Sequence, residues 1–181
     1  SRLGIRTAPI LLLTRPDVQT DLKLSTEQIH SSRRVIDGLY DQASALKGKP
    51  DGEVIAARRM IDEAQQRWLE SQLTDSQRAR LLQLDLQWEG PSAVVSRSWV
   101  SNWIGLSPEQ RQSIIDAVRV RQSATEGGGR SVQEKTLTEQ VLAILNEEQR
   151  ERWRGLLGQP FEIQSATQTA AGAGAGQPTQ R

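Results

Sequence analysis

A short pattern occurs four times in this chain and constrains its fold more than any other feature. In each copy a Leu precedes a Ser, Thr or Asn, and a Gln follows three residues later. The polar residue can accept a hydrogen bond from a free backbone N–H of the first helical turn, and the Gln can reach back to the cap residue's own N–H. We therefore predict four helix starts, at Leu24, Ser25 and Gln28; Leu73, Thr74 and Gln77; Leu106, Ser107 and Gln110; and Leu145, Asn146 and Gln149.

The apolar spacing after the first motif predicts a helical hairpin. From residue 25 to 46 apolar side chains recur every seven residues, which indicates a narrow stripe facing a partner helix. Residues 48–52 contain the Gly and Pro of a turn, and a second helix should begin near Glu53. The second motif interrupts that stripe, so we expect a bend at Leu73–Thr74. Gly90–Pro91 should end the segment. Before this hairpin, Thr14 should cap a short helix with Pro16 in its first turn.

The second half of the chain repeats this order. Residues 73–81 match residues 145–153 by role, including two arginines in each, and Gly127–Gly129 should be the turn of the second hairpin. We predict an all-α fold of two tandem degenerate helical hairpins with short entry helices, forming one elongated bundle. The expected organisation is a flexible lead-in at 1–9, a first hairpin repeat at 10–91, a second at 92–161, and a disordered Ala/Gly/Gln tail at 162–181.

Composition excludes several classes of protein. The net charge is +1, so no strong overall field attracts nucleic acid. The chain has no cysteine, which excludes disulfide scaffolds, zinc-thiolate sites and cysteine nucleophiles. The longest aliphatic run, Ile10 to Leu13, is far shorter than the roughly 20 residues of a membrane span. We expect no nucleic-acid partner and no membrane span.

The four motifs resemble the LTxxQ motif of the Spy/CpxP-like exported bacterial proteins. Residues 15–28 are also similar to the opening of many uncharacterised exported bacterial proteins, with a Pro-acidic-Val run leading into a Leu-Thr-x-x-Gln helix start. The resemblance covers about residues 10–161. It implies an all-helical, non-enzymatic protein of the periplasm, or otherwise exported, whose signal peptide has been removed. Spy-like members are ATP-independent chaperones that form antiparallel dimers, and others are envelope-stress regulators or metal-responsive sensors.

Two departures from the Spy-like pattern bear on this expectation. The chain carries the motif four times where Spy-like chains carry it twice, so one chain would mimic their dimer internally. It also has few metal ligands, with one His, one Met and no Cys.

No group of residues predicts catalysis. His30 is the only histidine and should be exposed in the first turn of its helix. Capping explains Ser25, Thr74 and Ser107, and the positive end of a helix explains the adjacent acids Glu147 and Glu148. We therefore predict no catalytic residue, no metal site and no cofactor.

Arginine clusters occur on nearly every predicted helix. They are interpreted either as solvated faces balanced by nearby acids or as a surface that binds acidic or unfolded proteins. The candidate protein-binding residues are Arg33, Arg34, Arg58, Arg59, Arg78, Arg80, Arg119, Arg121, Arg150, Arg152 and Arg154.

The five tryptophans form a second unusual set, against one Phe and one Tyr. Trp68, Trp88 and Trp153 fall on apolar stripes, which favours a place in the core. Trp99 and Trp103 lie four residues apart between the two halves. They either pin the repeats together or form an exposed contact surface, and we favour pinning.

The function that these features indicate is a non-catalytic exported protein-binding module. Its partners would be unfolded clients or an envelope protein, in the manner of a Spy-like holdase or envelope-stress protein, with a homodimer as one assembly. The alternatives are a ligand- or metal-sensing regulatory domain, for which only His30, Met60 and carboxylates could supply ligands, and a structural scaffold of the cell envelope.

Overall fold

The computed structural model describes residues 9–124 and 130–161, with side chains described at 9–120 and 136–161. These residues form helices and connecting turns without a strand, so the all-α prediction is confirmed. A 3₁₀ segment, Pro9–Thr14, comes first, and we call it the aliphatic segment. The α-helices that follow are α1 (Pro16–Asp21), α2 (Thr26–Ser44), α3 (Asp51–Gln72), α4 (Asp75–Glu89), α5 (Ala93–Ser96), α6 (Ser98–Ile104), α7 (Pro108–Ala124), α8 (Arg130–Ile144) and α9 (Glu147–Leu157). The predicted lead-in up to residue 8, the Gly127–Gly129 turn and the tail at 162–181 lie outside the described residues.

Each of the four motifs opens a helix with a reciprocal capping box. At the start of α2 the Ser25 hydroxyl accepts from the Gln28 N–H at 3.1 Å, and the Gln28 side-chain oxygen accepts from the Ser25 N–H at 2.9 Å. The same two bonds open α4, α7 and α9. Two orphan N–H groups are thereby satisfied at each helix start.

The start of α1 differs from the prediction. Its N-cap is Arg15, without a side-chain cap, and Pro16 takes the first helical position. The Thr14 hydroxyl instead donates to the Leu11 carbonyl at 2.7 Å. The predicted Thr14 cap is therefore wrong, because the preceding 3₁₀ turn already uses that hydroxyl.

The first two motifs meet through their glutamines. The Gln28 Nε2 donates to the Gln77 Oε1 at 3.0 Å, and the Gln77 Nε2 donates to the Gln28 Oε1 at 3.2 Å. The remaining side-chain N–H groups donate to backbone carbonyls, from Gln28 to Gln72 at 2.6 Å and from Gln77 to Leu22 at 3.2 Å. We call this reciprocal pair the first clasp. It joins the start of α2 to the α3–α4 bend.

The last two motifs form a second clasp of the same design. Gln110 and Gln149 exchange amide hydrogen bonds of 2.8 and 2.9 Å. Gln110 also donates to the Ile144 carbonyl at 3.0 Å, and Gln149 to the Gly105 carbonyl at 2.9 Å. The clasp therefore joins the start of α7 to the junction between α8 and α9.

Two hydrophobic cores lie around these clasps. The first combines the aliphatic segment with side chains of α1 to α4, and the second combines α5 to α9 with the end of α4. Helix α4 contributes to both, since Leu81 and Leu84 enter the first core and Leu86 the second. It also packs against α9. Helix α4 is thus the element shared by the two halves.

A buried ion network fixes the turn between the halves. Arg97, 4% exposed, donates from Nη2 to the Asp85 carboxylate at 2.6 Å and from Nε to the Glu89 carboxylate at 2.5 Å. Burial alone would lower the pKa of Arg97, but Asp85 and Glu89 outweigh it and raise that pKa. The guanidinium thus ties α4 to the segment between α5 and α6.

The residue just before the motif Leu has positive φ in both halves but differs in type. Lys23 is the only non-glycine residue with positive φ in the described chain, at φ 51°. At the corresponding place in the second half, the residue before the motif Leu is Gly105, at φ 78°. A side chain in the left-handed region costs roughly 1–2 kcal/mol, whereas glycine adopts it freely.

We predict that Lys23→Gly raises the free energy of unfolding by about 0.5–1 kcal/mol, since relief of strain exceeds the added freedom of the unfolded chain. The reciprocal change, Gly105→Lys, should lower it by about 1–2 kcal/mol. A Cβ at Gly105 would also lie 3.3 Å from Arg152 Nη1. Urea denaturation followed by circular dichroism measures both. A fall in the free energy of unfolding on Lys23→Gly would contradict the strain at Lys23.

We also predict that Gln28→Ala and Gln77→Ala each destabilise the protein by about 2–3 kcal/mol, because each removes the acceptor of the cap residue's N–H and the side-chain bonds of the clasp. The double variant should reveal a coupling energy of about 1–2 kcal/mol between the two side chains. Gln66→Ala is the control, since Gln66 is exposed and bonds only Glu70 in its own helix. Additive losses at Gln28 and Gln77 would show that the clasp contributes nothing beyond the caps.

Candidate protein-binding surface

Helices α2 and α3 pack against each other and form an arm whose outer part has no buried core. At the base of the arm, Ile36, Leu39 and Trp68 are 3, 9 and 8% exposed. From residue 40 to 64, all of which the structure describes, no residue is buried. We call residues 40–64 the tip of the first arm. Helices α7 and α8 pack together in the second half.

The first arm exposes large apolar side chains. Tyr40, Ile55 and Met60 are 57, 69 and 68% exposed. On α7, Val120 is 68% exposed. Scattered apolar residues are ordinary on a protein surface, but three on one thin arm provide repeated apolar contact points.

Four of the candidate arginines, which flank the second and fourth motifs, hold helix ends together. Arg78 donates from Nη1 to the Leu73 carbonyl at 2.6 Å, and Arg150 donates from Nε to the Leu142 carbonyl at 2.7 Å. Each thus satisfies a free carbonyl near the end of the preceding helix. We interpret both as structural residues.

Arg80 and Arg152, three residues after the motif Gln, reach across to another helix end. Arg80 pairs with Asp21 at 2.8 Å, and Arg152 Nη1 lies 3.4 Å from the Trp103 carbonyl oxygen. Both arginines are therefore engaged in contacts within the chain.

The other candidate arginines divide into paired and unpaired groups. Arg59, Arg119 and Arg154 form exposed ion pairs with acids of their own helices. Such pairs are worth about 0–1 kcal/mol each. The unpaired group is exposed on the first arm and makes no ion pair in the described part of the chain: Arg33, Arg34 and Arg58. The side chain of Arg121 lies outside the described residues.

The tryptophans divide differently from the prediction. Trp68 and Trp153 lie in the core, at 8 and 4% exposed, as predicted. Trp88 is 54% exposed, so its predicted burial is wrong. Helix α4 ends one residue after it, and Leu86 faces the second core instead. The Arg15 guanidinium covers one face of the Trp88 ring, 4.9 Å from its centre.

The predicted pinning by Trp99 and Trp103 is also wrong. The two side chains are 41 and 62% exposed. Val100 and Ile104, both fully buried, occupy the core face of α6 in their place. Val100 and Ile104 are also four residues apart, so their spacing equally indicates one buried helix face. The larger tryptophans at the same spacing look more like core residues in the sequence.

The hydroxyl groups considered for chemistry serve as helix caps. His30 is exposed as expected, and the Ser25, Thr74 and Ser107 hydroxyls accept capping bonds. An open cleft of about 500 Å³ beside the first clasp is lined by Asp21, Lys23 and Arg80 among others, but Asp21 and Arg80 already bind each other. Within the described residues, His, Asp and Glu side chains do not gather in groups of three that could hold a metal ion.

None of the described helices is both long enough and apolar enough to cross a membrane. Comparison with protein-family models, curated proteins and solved structures finds no match to this chain.

Proposed function

We propose that this chain is a non-catalytic, exported protein-binding module that acts as an ATP-independent holdase of the Spy-like kind. The observation that carries the proposal is the first arm, where Tyr40, Ile55 and Met60 are more than half exposed and which also carries the exposed Arg33, Arg34 and Arg58. Unfolded proteins expose apolar side chains, and scattered apolar contacts on a thin arm would bind them without requiring one sequence. The flexible thioether of Met60 suits such adaptable contacts.

Apolar contact, rather than charge, dominates this proposal. Residues 26–72 contain seven basic and eight acidic side chains, a net charge of −1. The arm is therefore not a basic surface, and long-range attraction of acidic clients contributes little. The arginines would act locally, since their stems add apolar contact while their guanidinium groups pair with carboxylates of a client.

The other functions considered have no specific observation in their favour. A metal-sensing domain needs convergent ligands, and within the described residues His, Asp and Glu side chains do not gather in groups of three. An envelope scaffold, a homodimer and the exported location stay proposals.

We predict that the protein suppresses aggregation of a chemically denatured test enzyme in a light-scattering assay without ATP. A double variant, Ile55→Lys and Met60→Lys, should lower protection at least about threefold, because it removes apolar contact from the first arm. Leu82→Lys is the control, since Leu82 is 41% exposed on α4, away from the arm. The holdase function is wrong if the unaltered protein gives no protection in excess over the client. It is also wrong if Leu82→Lys abolishes protection equally.

A further inference from the structure

The apolar side chains of α2 and α3 face each other along a stripe, which we call the seam. The seam is covered at the base of the arm and uncovered at its tip. On α2, Ile36 and Leu39 are buried. Seven residues further along, Ala43 near the end of α2 is exposed, and Leu46 in the turn after it is half-buried. On α3, Trp68 is buried, whereas the stripe residues toward the tip are only half-buried: Val54, Ala57 and Ile61. One apolar stripe thus continues past the point where it is covered.

The covering element at the base is the aliphatic segment. Its Ile10, Leu12 and Leu13 are 0, 4 and 0% exposed. They belong to one hydrophobic cluster with α2 and α3 side chains, among them Leu39 and Trp68. The segment packs against α2, α1 and α4. A short run of Ile and Leu therefore completes the apolar cluster at the base of the arm.

The tip of the seam has the same chemistry as its base. Its stripe positions, Ala43, Leu46, Val54, Ala57 and Ile61, carry no charge and no hydrogen-bonding side chain. Two helices alone leave such a stripe half in water, so a third apolar element would remove further apolar surface from water. Ala43 is the one of these residues that lies on α2, and its small side chain is exposed.

We propose that the uncovered tip seam of the first arm binds a short aliphatic segment of another polypeptide, of the kind that Pro9–Thr14 supplies at the base. The inference rests on the proposed protein-binding function, and it specifies both the site and the class of client segment. The occupant is an Ile- and Leu-rich stretch without charge, as exposed by an unfolded chain. The seam is continuous with the covered base, so such a segment would extend an existing apolar interface.

The test uses the full chain and a fluorescein-labelled peptide containing Pro-Ile-Leu-Leu-Leu-Thr between Gly and Lys residues added for solubility. Fluorescence anisotropy should show saturable binding, and a peptide with Ser at the four aliphatic positions should not bind. Ala43→Lys places a charge in the seam and should weaken binding about tenfold, a loss of about 1.4 kcal/mol. Ala56→Lys is the matched control, because Ala56 is exposed on α3 away from the stripe. It should change binding less than twofold. Circular dichroism verifies that both variants stay helical.

Three results would overturn the proposal. The first is absence of peptide binding to the unaltered protein, and the second is equal weakening by Ala43→Lys and Ala56→Lys. The third is a dimer in sedimentation velocity that Ala43→Lys converts to monomer, which would show that a second copy occupies the seam. Peptide binding with this selectivity, together with a failed aggregation assay, would support the seam and overturn the holdase function. Aggregation suppression that Ala43→Lys leaves unchanged would do the reverse.

Discussion

The reciprocal pairing of motif glutamines is the interaction on which the rest of the structure depends. In Gln28 the side-chain oxygen accepts from the Ser25 N–H and from Gln77, while its NH₂ group donates to Gln77 and to the Gln72 carbonyl. Both donors and both lone pairs of the amide are therefore used. Gln28 is half-buried, so water would replace lost partners only in part, whereas a complete network favours one arrangement of the helices. Each motif thus starts a helix and also determines which other helix end it meets.

This dual role explains how much of the fold the sequence predicts. Capping concerns four consecutive residues, so the starts of α2, α4, α7 and α9 follow from local pattern alone. The pairing of Gln28 with Gln77 joins residues 49 positions apart, and no local rule indicates it. The hydrogen-bonding capacity of the glutamine does indicate a further partner. A capping box uses one oxygen lone pair of the amide and leaves its two donors without an acceptor.

The errors at the tryptophans have a related cause. Helical spacing assigns Trp88 to a stripe, but a stripe is buried only where another element covers it. Helix α4 ends just after Trp88, and in α6 the smaller Val100 and Ile104 occupy the core face. The arginines show the converse. Arg78 and Arg150 look like surface charges in the sequence, yet they serve helix ends that become visible only once the bends at the motifs are placed.

The same distinction between a stripe and its cover connects the fold to function. Helix α3 has 22 residues and keeps its heptad stripe throughout, but the aliphatic segment covers only the base of the arm. A helix that needed only to close the core could begin near Gln65, the first buried residue of α3. The additional turns contribute little to the stability of the isolated chain, because their apolar side chains stay half in water. A function for the tip would account for an apolar stripe that extends beyond the core, and the clasp at the base holds that stripe in a fixed place.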